Sequence, residues 1–199
     1  MLRHGALGSN AVHLCVDMQE LFEPDMDWAV PWMERVLPNI VRLSEAHASR
    51  TLFTRFIPAA QPGDGVGMWK HYYQRWASMT LARVGDKIKL VAPLQALVPP
   101  AEVVDKAVYS PWMDGLLARR LVARGVDTIV VSGGETDVCV LAAVFGAVDR
   151  GYRVVIAADA VCSSTDETHD ALMALYTKRF SEQVETATVE EVIEAWPPD

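Results

Sequence analysis

The chain has 199 residues, 51% of them hydrophobic, and a formal net charge of -8 at pH 7. That length suits one α/β domain, and the apolar share excludes intrinsic disorder. An acidic balance without a Lys/Arg block excludes nucleic acid or an anionic membrane as the main partner.

Residues 1–199 are therefore expected to form a single domain, with residues 1–10 as an N-terminal extension. Cys15, Cys139 and Cys162 are too few and too far apart for a paired disulfide framework or a CxxC motif. The pattern suits a reducing compartment. The first ten residues lack an apolar signal-peptide core, and no apolar run reaches membrane-spanning length, so a cytoplasmic location is expected.

In chain order, Ala11–Val16 is a short apolar run ending at Asp17, as a buried strand would be. Trp32, Val36, Ile40 and Leu43 have helical spacing within Ala29–Ser49. Thr51–Ile57 reads as a second strand, stopped by Pro58. The Pro/Gly-rich stretch Pro58–Gly67 and the aromatic segment Met68–Trp76 form the longest irregular region, and long loops in compact domains tend to be functional. Glu102–Lys106 fits a third strand. Asp114–Arg124 fits a helix with Gly125 in the C′ position.

Thr128–Ser132 is apolar and β-branched, the type of strand that parallel sheets bury on both faces. Gly133 and Gly134 end it, and Thr136–Arg150 reads as a helix with Val140, Val144 and Val148 four apart. Tyr152–Ala158 is another apolar strand, ending at Asp159. Ser164 with Glu167, and Thr188 with Glu191, have capping-box spacing, and Gln183–Ala187 lies between as a last strand. The alternation is that of an α/β protein with a parallel sheet and helices on both faces. Ligands in such sheets bind at the carboxyl ends of the strands. Asp17, Lys106, the Gly133–Cys139 turn and Asp159 are all expected there.

Cys139 falls in the first turn of a helix, where the dipole favours thiolate and free N–H groups can receive an oxyanion. The residues alone leave a small buried core thiol equally open. Asp17 suits a general base or a turn former, and Lys106 suits a thiolate partner or a solvated surface group. Cys15 reads as a packed core thiol and Cys162 as structural or incidental. His169 reads as a satisfied structural histidine and His71 as a surface residue. Trp69, Tyr72, Tyr73 and Trp76 suit a substrate wall, a subunit contact or core. Trp112, Phe22 and Gln19 are expected to line a pocket.

Taken together, Val16-Asp17-Met18-Gln19 with Leu21-Phe22, Asp105-Lys106 with Tyr109-Ser110, and Gly133-x-x-Thr136-Asp137-x-Cys139-Val140 resemble the isochorismatase-like cysteine hydrolase superfamily. Gly151-Tyr152-Arg153-Val154, Asp159-Ala160 and Glu167-Thr168-His169 continue the pattern, so the resemblance runs from Ala11 to Ile193. It implies a Rossmann-like three-layer sandwich with a six-stranded, mostly parallel sheet. It implies Asp17, Lys106 and Cys139 as the catalytic residues, and a cis peptide between Gly134 and Glu135. The backbone N–H groups of Glu135 and Cys139 would form the oxyanion hole. Gln19, Phe22, Arg55, Trp69 and Trp112 are the expected substrate-binding residues, with Arg55 also offered as a partner for Glu135.

Nicotinamidases of this superfamily carry an Asp-x-His metal motif after the second strand. Here the stretch reads Thr54-Arg55-Phe56-Ile57-Pro58, so no metal and no cofactor are expected. Without GxGxxG after the first strand, a nucleotide cofactor has no visible cradle. The cysteine favours hydrolysis of a C–N bond in a small amide, carbamoyl or ureide compound through a thioester. The alternatives are a vinyl ether hydrolase of the isochorismatase type and a non-catalytic binding subunit. The only other expected partner is a second copy of the chain, as a dimer or tetramer.

Overall fold

In the computed structural model, which describes residues 2–197, a single sheet organises the chain. The elements run β1 (Ala11–Val16), α1 (Met33–Ala46), β2 (Thr51–Phe56), α2 (Met68–Arg75), α3 (Leu81–Val84), α4 (Ala92–Gln95), β3 (Glu102–Lys106), α5 (Leu116–Ala123), β4 (Thr128–Gly134), α6 (Cys139–Val148), β5 (Arg153–Cys162), α7 (Asp166–Lys178), β6 (Val184–Ala187) and α8 (Val189–Ala195). The strand order is β3-β2-β1-β4-β5-β6. Every neighbouring pair is parallel, so the sheet is wholly rather than mostly parallel.

Alternation along β1 shows how the sheet divides its side chains between two layers. Val12, Leu14 and Val16 enter the apolar cluster shared with Leu117 and Leu121 of α5, Val140 and Val144 of α6, and Tyr176 of α7. Ala11 and Cys15 enter the opposite cluster, with Val36, Ile40 and Leu43 of α1 and Val189 and Val192 of α8. β4 is buried at all seven positions, as a strand covered on both faces must be.

Chain order reverses between β1 and β4, which makes their carboxyl ends the topological switch point. The two strands come very close there. A side chain on Gly133 would place its Cβ 2.1 Å from the Val16 carbonyl oxygen, and Gly133 has φ +101°, so only glycine fits. The peptide between Gly134 and Glu135 is cis.

Some expectations shift. The first helix spans Met33–Ala46, not Ala29–Ser49, and the segment at Met68–Arg75 is a helix rather than a loop. β5 runs past Asp159 to Cys162, because a register shift opposite Val131 and Gly133 lets the strand carry extra residues. The Thr188–Glu191 capping box forms. The Ser164–Glu167 box does not: α7 begins after Thr165, and the Ser164 N–H instead donates to Glu135 Oε2 at 2.8 Å. No described helix is long and apolar enough to cross a membrane.

Candidate active site

Asp17 follows the last residue of β1 in a left-handed backbone conformation, φ +50°, the one non-glycine residue with positive φ among those described. Such a conformation costs energy and needs support from its surroundings. Thr54 of β2 supplies it. The Asp17 N–H donates to the Thr54 carbonyl at 3.2 Å and to Thr54 Oγ1 at 3.2 Å, and Thr54 Oγ1 donates to Asp17 Oδ1 at 2.5 Å. The other carboxylate oxygen, Oδ2, lies 2.6 Å from Lys106 Nζ, with both side chains almost fully buried.

Lys106 ends β3, two strands away. Its ammonium donates to Cys139 Sγ at 3.4 Å and to the Val108 carbonyl at 3.2 Å. One ammonium thus bridges a carboxylate and a sulfur brought in from opposite sides of the switch point. The backbone entering α6 is pinned at several places. Thr136 N–H donates to the Cys162 carbonyl at 2.8 Å, and the Val138 and Val140 N–H groups both donate to the Glu135 carbonyl. Thr136 Oγ1 pairs with His169 Nδ1 at 2.9 Å. Among the described residues, no backbone carbonyl takes the N–H of Glu135 or Cys139, so both amides remain available to a ligand beside the sulfur.

Electrostatics at the sulfur depart from the helix-dipole expectation. Burial pushes the Cys139 thiol well above its ordinary value, the Asp17 carboxylate pushes the same way, and Lys106 opposes them. The free protein therefore holds a neutral thiol. Burial pulls the Lys106 ammonium down, but Asp17 and Cys139 outweigh it and the net shift is upward. The resting site is a thiol beside a carboxylate–ammonium pair, with the carboxylate placed to take the thiol proton.

Cys139 is 7% exposed, and that exposure faces a cavity of about 370 Å³. Its walls include Phe22, Trp28, Phe56, Tyr72, Trp76 and Tyr109. Phe22, Glu135 and Cys139 are shared with an adjoining recess of about 20 Å³ bounded by Asp17, Val30, Met33 and Cys162. The recess has room for one water-sized group. Among the described residues, no group of three or more His, Cys, Asp or Glu side chains is placed to hold a metal ion.

Comparison with known proteins shows the family. The model of the isochorismatase domain family matches residues 11–188. The chain belongs to the isochorismatase family. This family member is 28% identical over 187 residues to the isochorismatase family protein YaaI of Bacillus subtilis (strain 168), covering 91% of this chain and 95% of that one. It is 26% identical over 147 residues to N-carbamoylsarcosine amidase of an Arthrobacter species, covering 67% of this chain and 52% of the relative. Among solved structures, a cysteine hydrolase from Pseudomonas syringae pv. phaseolicola 1448A superposes with a TM-score of 0.81 at 27% identity, over 96% of each chain.

In this isochorismatase-family chain, the residues expected around the substrate divide. Phe22 lines the cavity. Gln19 does not: it is fully buried, accepting from the Phe56 N–H at 2.7 Å and donating to the Phe56 and Ile88 carbonyls. It ties the turn after β1 to the end of β2. Arg55 is no partner of Glu135. It stands directly opposite Asp105 across the β2–β3 pairing and holds that carboxylate at 2.8 and 2.9 Å. Trp112 is core. Its indole N–H donates to the Ala143 carbonyl at 2.9 Å, and its ring lies against Gly146, where a Cβ would sit 2.1 Å away. Trp69 packs behind the wall, on Phe56 and Tyr109.

Asp159 also leaves the site. Its carboxylate accepts from the Val189 N–H at 2.7 Å and from Asn39 Nδ2 at 3.1 Å, joining α8 to α1. His169 is held by Thr136 and packs on Trp32 with ring centroids 4.8 Å apart. Cys15 is sealed in the core, its thiol pushed by burial to about 12. Cys162 is equally sealed, with its thiol raised by burial, yet its side chain borders the recess. Sequence reasoning missed Thr54, Trp28 and Asp27. Thr54 carried no distinct signal, since β2 also holds Thr51 and Arg55. Nothing in the spacing singled out the other two.

Proposed function

We propose that the chain is a cysteine hydrolase that opens the C–N bond of a small amide, carbamoyl or ureide substrate through a thioester on Cys139. The contact of Lys106 Nζ with both Asp17 Oδ2 and Cys139 Sγ carries the reading, because it makes the thiol, base and counter-charge one unit. Asp17 takes the thiol proton while Sγ bonds to the substrate carbonyl carbon. The Lys106 ammonium offsets the charge passing between carboxylate and sulfur. Negative charge moves to the carbonyl oxygen, which the N–H groups of Glu135 and Cys139 receive. As the C–N bond breaks, Asp17 returns the proton to the leaving nitrogen. Water then adds to the thioester, losing a proton to Asp17, and the C–S bond breaks to release the acid and restore the thiol.

The aromatic walls hold an organic substrate against Cys139, and the recess admits a group no larger than water beside it. Ammonia release from a panel of small primary amides, carbamoyl compounds and ureides tests the reading. The wild type turns over at least one of them, with a substrate-derived acyl mass trapped on Cys139 by acid quench. Cys139→Ala loses about ten-thousand-fold in rate while keeping its fold. Turnover that survives Cys139→Ala overturns the assignment.

A further inference from the structure

The cavity in front of Cys139 has a one-sided charge. Its walls are the faces and edges of Phe22, Trp28, Phe56, Tyr72, Trp76 and Tyr109, and its carboxylates are those of Asp27 and Glu135. No Lys or Arg lines it. Trp28 is the hub of the wall, with ring centroids 5.8 Å from Phe56, 5.7 Å from Tyr72 and 6.4 Å from Trp76.

Each carboxylate is anchored at one oxygen only. Glu135 Oε2 accepts from the Ser164 N–H at 2.8 Å, and Asp27 Oδ2 accepts from Ser78 Oγ at 2.5 Å. Neither is ion-paired among the described residues. Two cations stand on the wall rings without lining the cavity: Lys106, paired with Asp17, lies over the Phe56 ring at 5.1 Å, and Arg75 lies over the Trp76 ring at 5.4 Å. Aromatic faces attract cations, and unneutralised carboxylates beside them do so more strongly. A substrate bearing its own carboxylate meets like charge and no cationic anchor.

We propose that this cavity selects amides whose non-reacting end carries a positive charge, an amine or quaternary ammonium held among the aromatic rings beside Asp27 and Glu135. The selection rests on the hydrolase function proposed above for its chemistry, but the binding preference does not. Glu135 then has two parts to play, its backbone N–H beside the sulfur and its side chain in the wall. The experiment separates the claims. Phenyltrimethylammonium and benzoate, neither of which can be hydrolysed, are titrated into the wild-type protein. Tryptophan fluorescence reports binding, and protection of Cys139 from iodoacetamide, followed by peptide mass, reports its location.

The ammonium is expected to bind at least about tenfold more tightly than benzoate and to protect Cys139. Glu135→Gln and Asp27→Asn keep the anchoring acceptors, and together they are expected to bring the two ligands within about twofold. In the wild type, para-aminomethylbenzamide should exceed terephthalamate in kcat/KM by about tenfold. Benzoate binding as tightly as the ammonium overturns the proposal. So does ammonium binding that leaves Cys139 unprotected, an unchanged preference in the double variant, or no ammonium binding by about 10 mM. If the ammonium binds and protects but no amide is cleaved, the hydrolase function falls and the charge preference stands. If terephthalamate is the better substrate, the preference falls and the hydrolase function stands.

Discussion

Two buried polar clusters, one among β1, β2 and β4 and one just past the carboxyl ends of the strands, behave in opposite ways. In the first, His13 of β1 pairs with Ser132 Oγ of β4 at 2.7 Å and with Thr51 Oγ1 of β2 at 3.3 Å, while Ser44 of α1 closes it from above. It is wholly enclosed, and burial pushes the His13 imidazole down to about 3, so it stays neutral. In the second, Asp17, Thr54, Lys106 and Cys139 gather just past the carboxyl ends of the strands. Here a carboxylate faces an ammonium at 2.6 Å, and the sulfur borders a cavity. Partners alone do not separate the clusters, since both are hydrogen-bonded across strands. The difference is position: a polar group inside the sheet must be neutral and sealed, whereas one at its edge can hold charge and meet a ligand.

Substitutions in each cluster sharpen that contrast. Lys106→Met leaves the Asp17 carboxylate buried without its ammonium, and the expected loss is about 3–5 kcal/mol of stability. Chemical denaturation measures it. A change below about 1 kcal/mol would mean that the pair is far more solvated than its burial implies. The same variant slows iodoacetamide labelling of Cys139, because the thiolate loses its counter-charge.

Thr54→Val comes next. It removes the hydroxyl that donates to Asp17 Oδ1, and kcat/KM is expected to fall about ten- to hundredfold. A positioning role predicts that the loss falls on kcat with little change in KM, and that Thr54→Ser restores most of the rate. A loss confined to KM would place Thr54 against substrate instead.

The sealed cluster gives the smallest effect per step. The unfolded chain binds a proton at His13 near its ordinary value of 6.5, while the folded protein refuses it until about 3. Over that window the unfolded state holds more protons, so stability falls as pH falls, by about 1.4 kcal/mol per pH unit from this group. Denaturation between pH 7 and 5 of the wild type and of His13→Gln isolates it. Equal pH slopes in the two proteins would show that His13 is not sealed.

The order of elements and the convergence of Asp17, Lys106 and Cys139 at the carboxyl ends of the strands were legible in the chain. The apolar β-branched run Thr128–Ser132 suits a doubly covered strand, Asp17 directly follows the apolar run of β1, Lys106 closes β3, and Cys139 opens the helix that follows β4. Ala11–Val16 and Glu102–Lys106 were legible to the residue because Asp17 and the Lys106-Ala107 boundary end the pattern. The surroundings of the site were not legible. Arg55 turned to Asp105 because their pairing is set by the register of β2 on β3, which spacing along the chain does not carry. Trp112 went into the core because Gly146, far along in α6, left a slot for its ring. Gln19 is consumed by carbonyls from two other segments.

The sequence by itself thus determined the sheet, its direction and the placement of Asp17 and Lys106 at its carboxyl edge, since these follow from local periodicity and from where apolar runs stop, whereas the end of β5 past Asp159 did not. Only the tertiary structure decided the protonation of Cys139, the support of Asp17 by Thr54 and the acidic aromatic cavity of Trp28, Asp27 and Glu135. Each depends on contacts between segments far apart in the chain, and on burial, which alters the cost of charge at every group it encloses.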